Sequence, residues 1–201
     1  MSNSPQNLLP KDGEVYLFPT FFSGEDSDRY FKTLLTEVPW KHEPIVLFGR
    51  EIMQPRLTAW YGDSDENASH RYSYSGITMQ ANPWTPTLLE MKRRIEPVTK
   101  TCFNGALLNQ YRDGKDGVGW HRDSEKELGQ NPVIGSVSLG ATRTFRLRHK
   151  QEKNLTVSVD LAHGNFLLMR GSTQHYWEHC VPKTKRPIGT RVNITFRILL
   201  K

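Results

Sequence analysis

From Arg191 to Ile198 the chain alternates without a break. Val192, Ile194, Phe196 and Ile198 are apolar, while Arg191, Asn193, Thr195 and Arg197 are polar. Successive side chains of a strand point to opposite faces, so the segment predicts a strand with one apolar face and one polar face carrying two arginines. Alternation alone fits a surface strand whose polar face meets water. Seven other short β-prone runs precede it, separated by Gly, Asn, Asp and Pro: GALLNQY (105–111), VGWH (118–121), VIGSVSLG (133–140), RTFRLRH (143–149), LTVSVDL (155–161), NFLLMRG (165–171) and QHYWEHCV (174–181). Short strands at this spacing predict a closed or two-sheet β architecture such as a jelly roll.

Helical periodicity occurs twice. Over 24–38, Tyr30, Phe31, Leu34 and Leu35 form one apolar stripe, with Asp26 or Ser27 as the cap. Over 83–100, Leu88, Met91, Ile95 and Val98 do the same, with Pro86 near the start, where its missing N–H is tolerated. The expected fold is α+β, mainly β: a polar, flexible tail over 1–14, an N-terminal α/β elaboration over 15–102 and a jelly-roll core over 103–201 that shares one core with it.

The 201 residues suit one domain. No apolar run approaches the roughly 18 residues of a membrane span, and the N-terminus carries no basic-then-apolar leader. Cys102 and Cys180 are too few for a disulfide framework, which favours a reducing compartment. Localisation is therefore expected to be cytoplasmic in a bacterium or nuclear in a eukaryote, not secreted, and the state monomeric. The formal charge of +6 fits a polyanionic partner, although solubility alone also accounts for it.

The tripeptide His121-Arg122-Asp123 matches a protein-kinase catalytic loop, but that loop needs an asparagine five positions after its aspartate, where Leu128 stands. No glycine-rich phosphate loop and no D-F-G triplet accompanies it. Read instead as His121-x-Asp123, the pair puts imidazole and carboxylate on one side of an extended segment. A second histidine would complete a 2-His-1-carboxylate triad, which suits Fe(II) and leaves positions open. The candidates are His149, His163, His175 and His179, of which the last two share strand parity, so periodicity does not choose between them.

Four segments, NQYRDGKDGVGWHRDSE, VSLGATRTFRLRHK, LAHGNFLLMRGSTQHYWEHCVPKT and RVNITFR, together resemble the AlkB family of Fe(II)- and 2-oxoglutarate-dependent nucleic-acid dioxygenases. The likeness covers about residues 45–199, and QPRLTAWYGD and YSYSGITM look like that family's nucleotide-recognition lid. The resemblance implies a double-stranded β-helix with His121, Asp123 and His179 as iron ligands; His179 fills the family's W-x-H-x-V-P position. His149, His163 and His175 are then surface or loop histidines. It also implies that Arg191 clamps the distal carboxylate of 2-oxoglutarate and that Asn109, Tyr111, Thr195 and Arg197 complete that pocket. Extended geometry separates the two arginine Cα atoms by roughly 20 Å. Side chains reaching inward leave a gap of about 6–8 Å, enough for a five-carbon diacid.

The same resemblance implies O2-dependent oxidation of N1-methyladenine and N3-methylcytosine in alkylated DNA, single- or double-stranded, with release of formaldehyde. RNA stays open as a substrate. Tyr74 would stack the flipped base against His121, with Tyr72 in the same lid. Glu125 would read the exocyclic amine, and Ser124 replaces an aspartate of some duplex-acting relatives. Phe48, followed by Gly49, aligns with an aromatic finger that fills the gap left by a flipped base; a core role is the alternative. Arg50, Arg56 and the PKTKR segment (182–186) are expected phosphate contacts. Two other readings are an oxygenase acting on protein methyl groups, which the lid residues disfavour, and a metal-free binding module, which has no use for a complete set of ligands.

Overall fold

The apolar face of the last strand lies against two helices, and its polar face is turned into the interior. In chain order the elements are β1 (Glu14–Phe18), α1 (Gly24–Glu37), β2 (Pro44–Leu47), β3 (Arg50–Met53), β4 (Leu57–Gly62), β5 (Arg71–Tyr74), β6 (Ile77–Gln80), α2 (Pro86–Thr99), β7 (Gly105–Tyr111), β8 (Val118–His121), β9 (Ile134–Gly140), β10 (Arg143–His149), β11 (Thr156–Leu161), β12 (Asn165–Arg170), α3 (Thr173–Tyr176), β13 (Trp177–Val181) and β14 (Arg191–Arg197). The computed structural model describes residues 5–47, 50–63, 71–74 and 77–200, as backbone alone at 46, 47, 71–74 and 77–79. A six-stranded sheet, ordered β1-β12-β9-β14-β7-β4, faces a four-stranded sheet, β11-β10-β13-β8, and every pairing is antiparallel. This is the jelly roll. The pairs β2-β3 and β5-β6 form separate hairpins.

Two apolar layers hold the sheets. Leu34 of α1 and Leu88, Met91 and Ile95 of α2 pack on Leu108, Val137, Phe166, Val192, Ile194 and Phe196 from the outer face of the large sheet. Between the sheets lie Val15, Ile134, Phe145, Leu147, Leu167, Met169 and Trp177. Each such side chain contributes roughly 1.5–3 kcal/mol by leaving water.

The helices follow their periodicity, with corrections at the ends. Ser23, not Asp26 or Ser27, caps α1, accepting a hydrogen bond from Asp26 N–H at 3.1 Å. In α2, Pro86 takes the first position after the cap Thr85, and Val98 is exposed while Thr99 is buried. The run 174–181 is a strand only from Trp177; residues 173–176 form the helical turn α3. Chain organisation also differs from the expected division at 102/103. β1 and β4, both from the N-terminal half, form the two edges of the large sheet. The segment expected as a loose tail packs from Asn7 onward: Leu9 is buried, and Trp177 Nε1 donates to Lys11 O at 3.1 Å. Among the described residues, no helix is long and apolar enough to cross a membrane.

An ion-pair clamp joins α1 to α2. Asp26 accepts from Arg94 Nη1 at 2.6 Å and Arg29 Nη2 at 3.0 Å, and Glu90 accepts from Arg29 and from Tyr30 Oη. Arg94, then Arg29, hold Asp26 down at about 2, and Arg29, then Tyr30, do the same to Glu90. A carboxylate depressed in the folded state adds stability above its unfolded value, near 4, and loses it as pH falls through the folded one. The urea midpoint is therefore expected to fall between about pH 4 and pH 2. In an Asp26→Asn/Glu90→Gln variant that decline should be shallower; parallel curves would remove the clamp from the acid response.

Candidate active site

All seven residues of β14 are buried, which answers the question its alternation leaves open. The polar face looks into a cleft between the sheets, lined by Arg191, Asn193, Thr195 and Arg197 at one wall and by His121, Asp123 and His179 at the other. Burying such groups costs roughly 1–3 kcal/mol for each one left unpaired, and neighbouring strands supply partners. Arg191 Nη2 donates to Ser138 Oγ at 2.8 Å, Asn193 Nδ2 to Ser136 Oγ at 2.8 Å, and Thr195 Oγ1 to Asn193 Oδ1 at 3.2 Å.

At the cleft's metal end, strand pairing brings the histidines together. His121 of β8 sits directly across from His179 of β13, and their rings are 4.3 Å apart. The register slips beyond this pair, so that Gly119 and Trp120 form an irregularity in β8. Such bulges re-aim side chains. Here both His121 and Val118 turn inward, and Gly119 O lies 2.9 Å from His121 Nδ1. A proton on Nδ1 donated to that carbonyl leaves Nε2 as the lone pair, and Nε2 is 3.9 Å from Asp123 Oδ1.

Asp123 divides its two oxygens. Oδ2 pairs with Arg197 Nη2 at 3.1 Å, and Oδ1 is buried without a hydrogen bond. Burial alone would raise this carboxyl; the charges around it, Arg197 foremost, outweigh burial and hold Asp123 below the usual range. Burial, aided by His121 and Arg197, pushes His179 down to about 3, and burial also lowers His121. The trio is thus an anionic oxygen and two neutral imidazoles, the forms that ligate metals. Ligand atoms of the three lie within 4.8 Å of one another, a grouping that could hold iron, and His179 Nδ1 is likewise buried without a partner. An ion fits this donor set.

At the other end Arg191 is 1 % exposed, stacks over the Tyr111 ring at 5.2 Å, and keeps Nε and Nη1 without hydrogen-bond partners. Burial pulls its guanidinium down to about 10, still charged at neutral pH. A buried cation with two unused donors is a receptor for a carboxylate.

The remaining expected residues distribute unevenly. Asn109 and Tyr111 line the cleft with Arg191, Thr195 and Arg197. Arg56, expected at a phosphate, is instead 4 % exposed in the cleft wall, with Nε donating to Asn109 Oδ1 at 2.7 Å. Arg56→Ala is accordingly expected to leave the salt dependence of oligonucleotide binding unchanged, whereas loss of an exposed phosphate contact lowers the slope by about one. A drop of that size would return Arg56 to the surface role. Arg50 is exposed on β3; Ser124 is exposed and Glu125 half-buried just past the ligand loop. Tyr72 and Tyr74 lie on β5 as backbone, and Phe48 and Gly49 fall outside the described residues.

Of the three histidines read as surface or loop residues, His149 is otherwise; His163 lies in the loop between β11 and β12. His149 is buried in β10, its Nδ1 accepting from Glu152 N–H at 3.0 Å and its ring stacked on Tyr176. His163, half-buried, accepts from Gly140 N–H at 2.7 Å. His175 is exposed on α3, so strand parity with His179 does not apply to it. Sequence reading missed Ser136 and Ser138, which pair in register with Thr195 and Asn193; their alternation within an apolar strand was the available signal.

Residues 14–197 match the family described as the 2OG-Fe(II) oxygenase superfamily. The chain is 45% identical over 192 residues to the Mus musculus alpha-ketoglutarate-dependent dioxygenase alkB homolog 3, covering 91% of this chain and 65% of that protein. It is 37% identical over 193 residues to the Mus musculus DNA oxidative demethylase ALKBH2, covering 91% and 79%. The solved structure of OsALKBH1 shares the fold, with a TM-score of 0.60 at 15% identity over 91% of this chain and 97% of that one. The chain spans about two-thirds of the length of the alkB homolog 3 proteins it matches.

Proposed function

The chain belongs to the AlkB family of the 2OG-Fe(II) oxygenase superfamily, and from that premise we propose that it oxidatively demethylates N1-methyladenine and N3-methylcytosine in nucleic acid, DNA first. The observation that carries this reading is one cleft with two unsatisfied ends: a two-histidine, one-carboxylate cluster with an orphaned oxygen, and a buried arginine with two orphaned donors. The first suits Fe(II) and the second the distal carboxylate of 2-oxoglutarate.

When bound, iron with 2-oxoglutarate and O2 supplies the oxidation: one oxygen atom enters succinate as CO2 leaves, and the other enters the substrate's N-methyl group. The hydroxymethyl product then loses formaldehyde and restores the base. The protein's part is holding and aiming. Arg197 occupies Asp123 Oδ2 and so reserves Oδ1 for the metal. Gly119 fixes the His121 ring, and Tyr111 and Ser138 hold the Arg191 guanidinium in place. His121 keeps about a quarter of its side chain accessible, at the mouth where a flipped base would arrive. Tyr72, Tyr74, Ser124 and Glu125 are assigned to that base, and Arg50 and residues 182–186 to the phosphates. A base that cannot pair is cheaper to extrude, which favours methylated over intact sites.

Mass spectrometry of methylated oligonucleotides after incubation with protein, Fe(II) and 2-oxoglutarate tests this directly. Loss of the mass of one CH2 unit, as a methylated base reverts to its unmethylated form, blocked by a chelator, is the expected result. Parallel single-stranded, duplex and RNA substrates identify the preferred strand. Succinate release with no oligonucleotide changed would point to protein methyl groups instead.

A further inference from the structure

Asp123 has no strand to hold it. β8 ends at His121, and residues 122–125 belong to no helix or strand, yet this carboxylate must stay aimed at two imidazoles. We propose that Gln174 is a positioning residue of the metal centre, fixing Asp123 through its backbone; this rests on the reading that His121, Asp123 and His179 hold a divalent ion. Gln174 is 3 % exposed, and its Oε1 accepts from Asp123 N–H at 2.9 Å. The other end of the same amide, Nε2, reaches Met169 Sδ at 3.8 Å, and Met169 lines the cleft. One side chain therefore ties the ligand loop to the cleft wall.

Gln174 is itself anchored. It sits on α3 beside Thr173, whose Oγ1 accepts from Glu14 N–H at 2.9 Å and donates to Arg170 O at 2.6 Å. Gly13 permits that approach, since a Cβ there would lie 2.8 Å from Thr173 Oγ1. The route thus runs from β1 through α3 to Asp123, joining the chain's first strand to its metal ligand. A buried backbone N–H needs a partner, and among the described residues Gln174 supplies it to Asp123.

The experiment is Mn(II) titration of the whole chain and of two variants. Gln174→Met fills the same volume without an acceptor, and Gln174→Glu keeps an acceptor at the same reach. Loss of an outer partner costs about 10–100-fold in metal affinity, so Gln174→Met is expected to weaken Mn(II) by that much and Gln174→Glu to stay within about threefold of the parent. Gln174→Met binding as tightly as the parent, or Gln174→Glu falling as far as Gln174→Met, would overturn the proposal. Hydrogen exchange in the unaltered protein is a check that needs no variant. The Asp123 amide should be protected before metal is added, and exchange at the rate of an open loop would overturn the proposal as well. A parent protein that takes up no Mn(II) would bring down the metal centre itself, an outcome distinct from failure of the variants alone.

Discussion

His179→Ala is expected to abolish metal-dependent decarboxylation of 2-oxoglutarate, while His175→Ala keeps most of it. His179 faces His121 across the β13–β8 pair and lies within ligand distance of Asp123, whereas His175 is exposed on the preceding helical turn. Removing a direct ligand should exceed the roughly 10–100-fold that removal of an outer partner costs. The measurement is succinate release against Fe(II) concentration. Activity surviving in His179→Ala and lost in His175→Ala would reverse the assignment. The adjacent Cys180 is not a substitute ligand: one residue after His179 on β13, it faces the other side of the strand, toward Pro55 and Trp120, and does not line the cleft.

The second large effect is expected at Arg191. Breaking a buried charge pair costs about 3–5 kcal/mol, and each 1.4 kcal/mol is tenfold. Arg191→Ala should therefore raise the KM for 2-oxoglutarate by roughly 100-fold or more, with metal affinity nearly unchanged, since Arg191 pairs with Ser138 and Tyr111 rather than with a metal ligand. Arg191→Lys should restore only part of this, because an ammonium cannot reproduce the planar fork. An unchanged KM would take Arg191 out of the cosubstrate site. Arg197→Ala should behave differently, weakening metal binding as well, because its guanidinium holds Asp123 Oδ2.

The sequence made the site's ingredients legible but not its interior. The spacing of His121-x-Asp123 marks a candidate ligand pair, and the eight β-prone runs each contain a strand of the two-sheet core. Alternation found the polar face of β14 yet could not say whether it meets water or a cleft. That depends on long-range contact with the facing sheet, whose β8, β10 and β13 bring His121, Phe145 and His179 to the opposite wall of the cleft. The burial of Arg56 has the same origin: β4 pairs with β7, placing Arg56 beside Asn109. Charged residues in short polar stretches look like surface until such pairing is known. Parity could not separate His175 from His179 because the run 174–181 changes from helix to strand at Trp177. The role of β1 was hidden as well, since its five residues follow a polar tail and enter the large sheet through β12, more than a hundred residues later.

The most direct measurement is a crystal structure of the chain grown anaerobically with Mn(II) and 2-oxoglutarate, with the metal located by its anomalous signal. The expected result is a single ion bound by His121, Asp123 Oδ1 and His179, with the cosubstrate's far carboxylate on Arg191. An ion lying away from residue 179, or a carboxylate that leaves the two unused donors of Arg191 unfilled, would contradict the account.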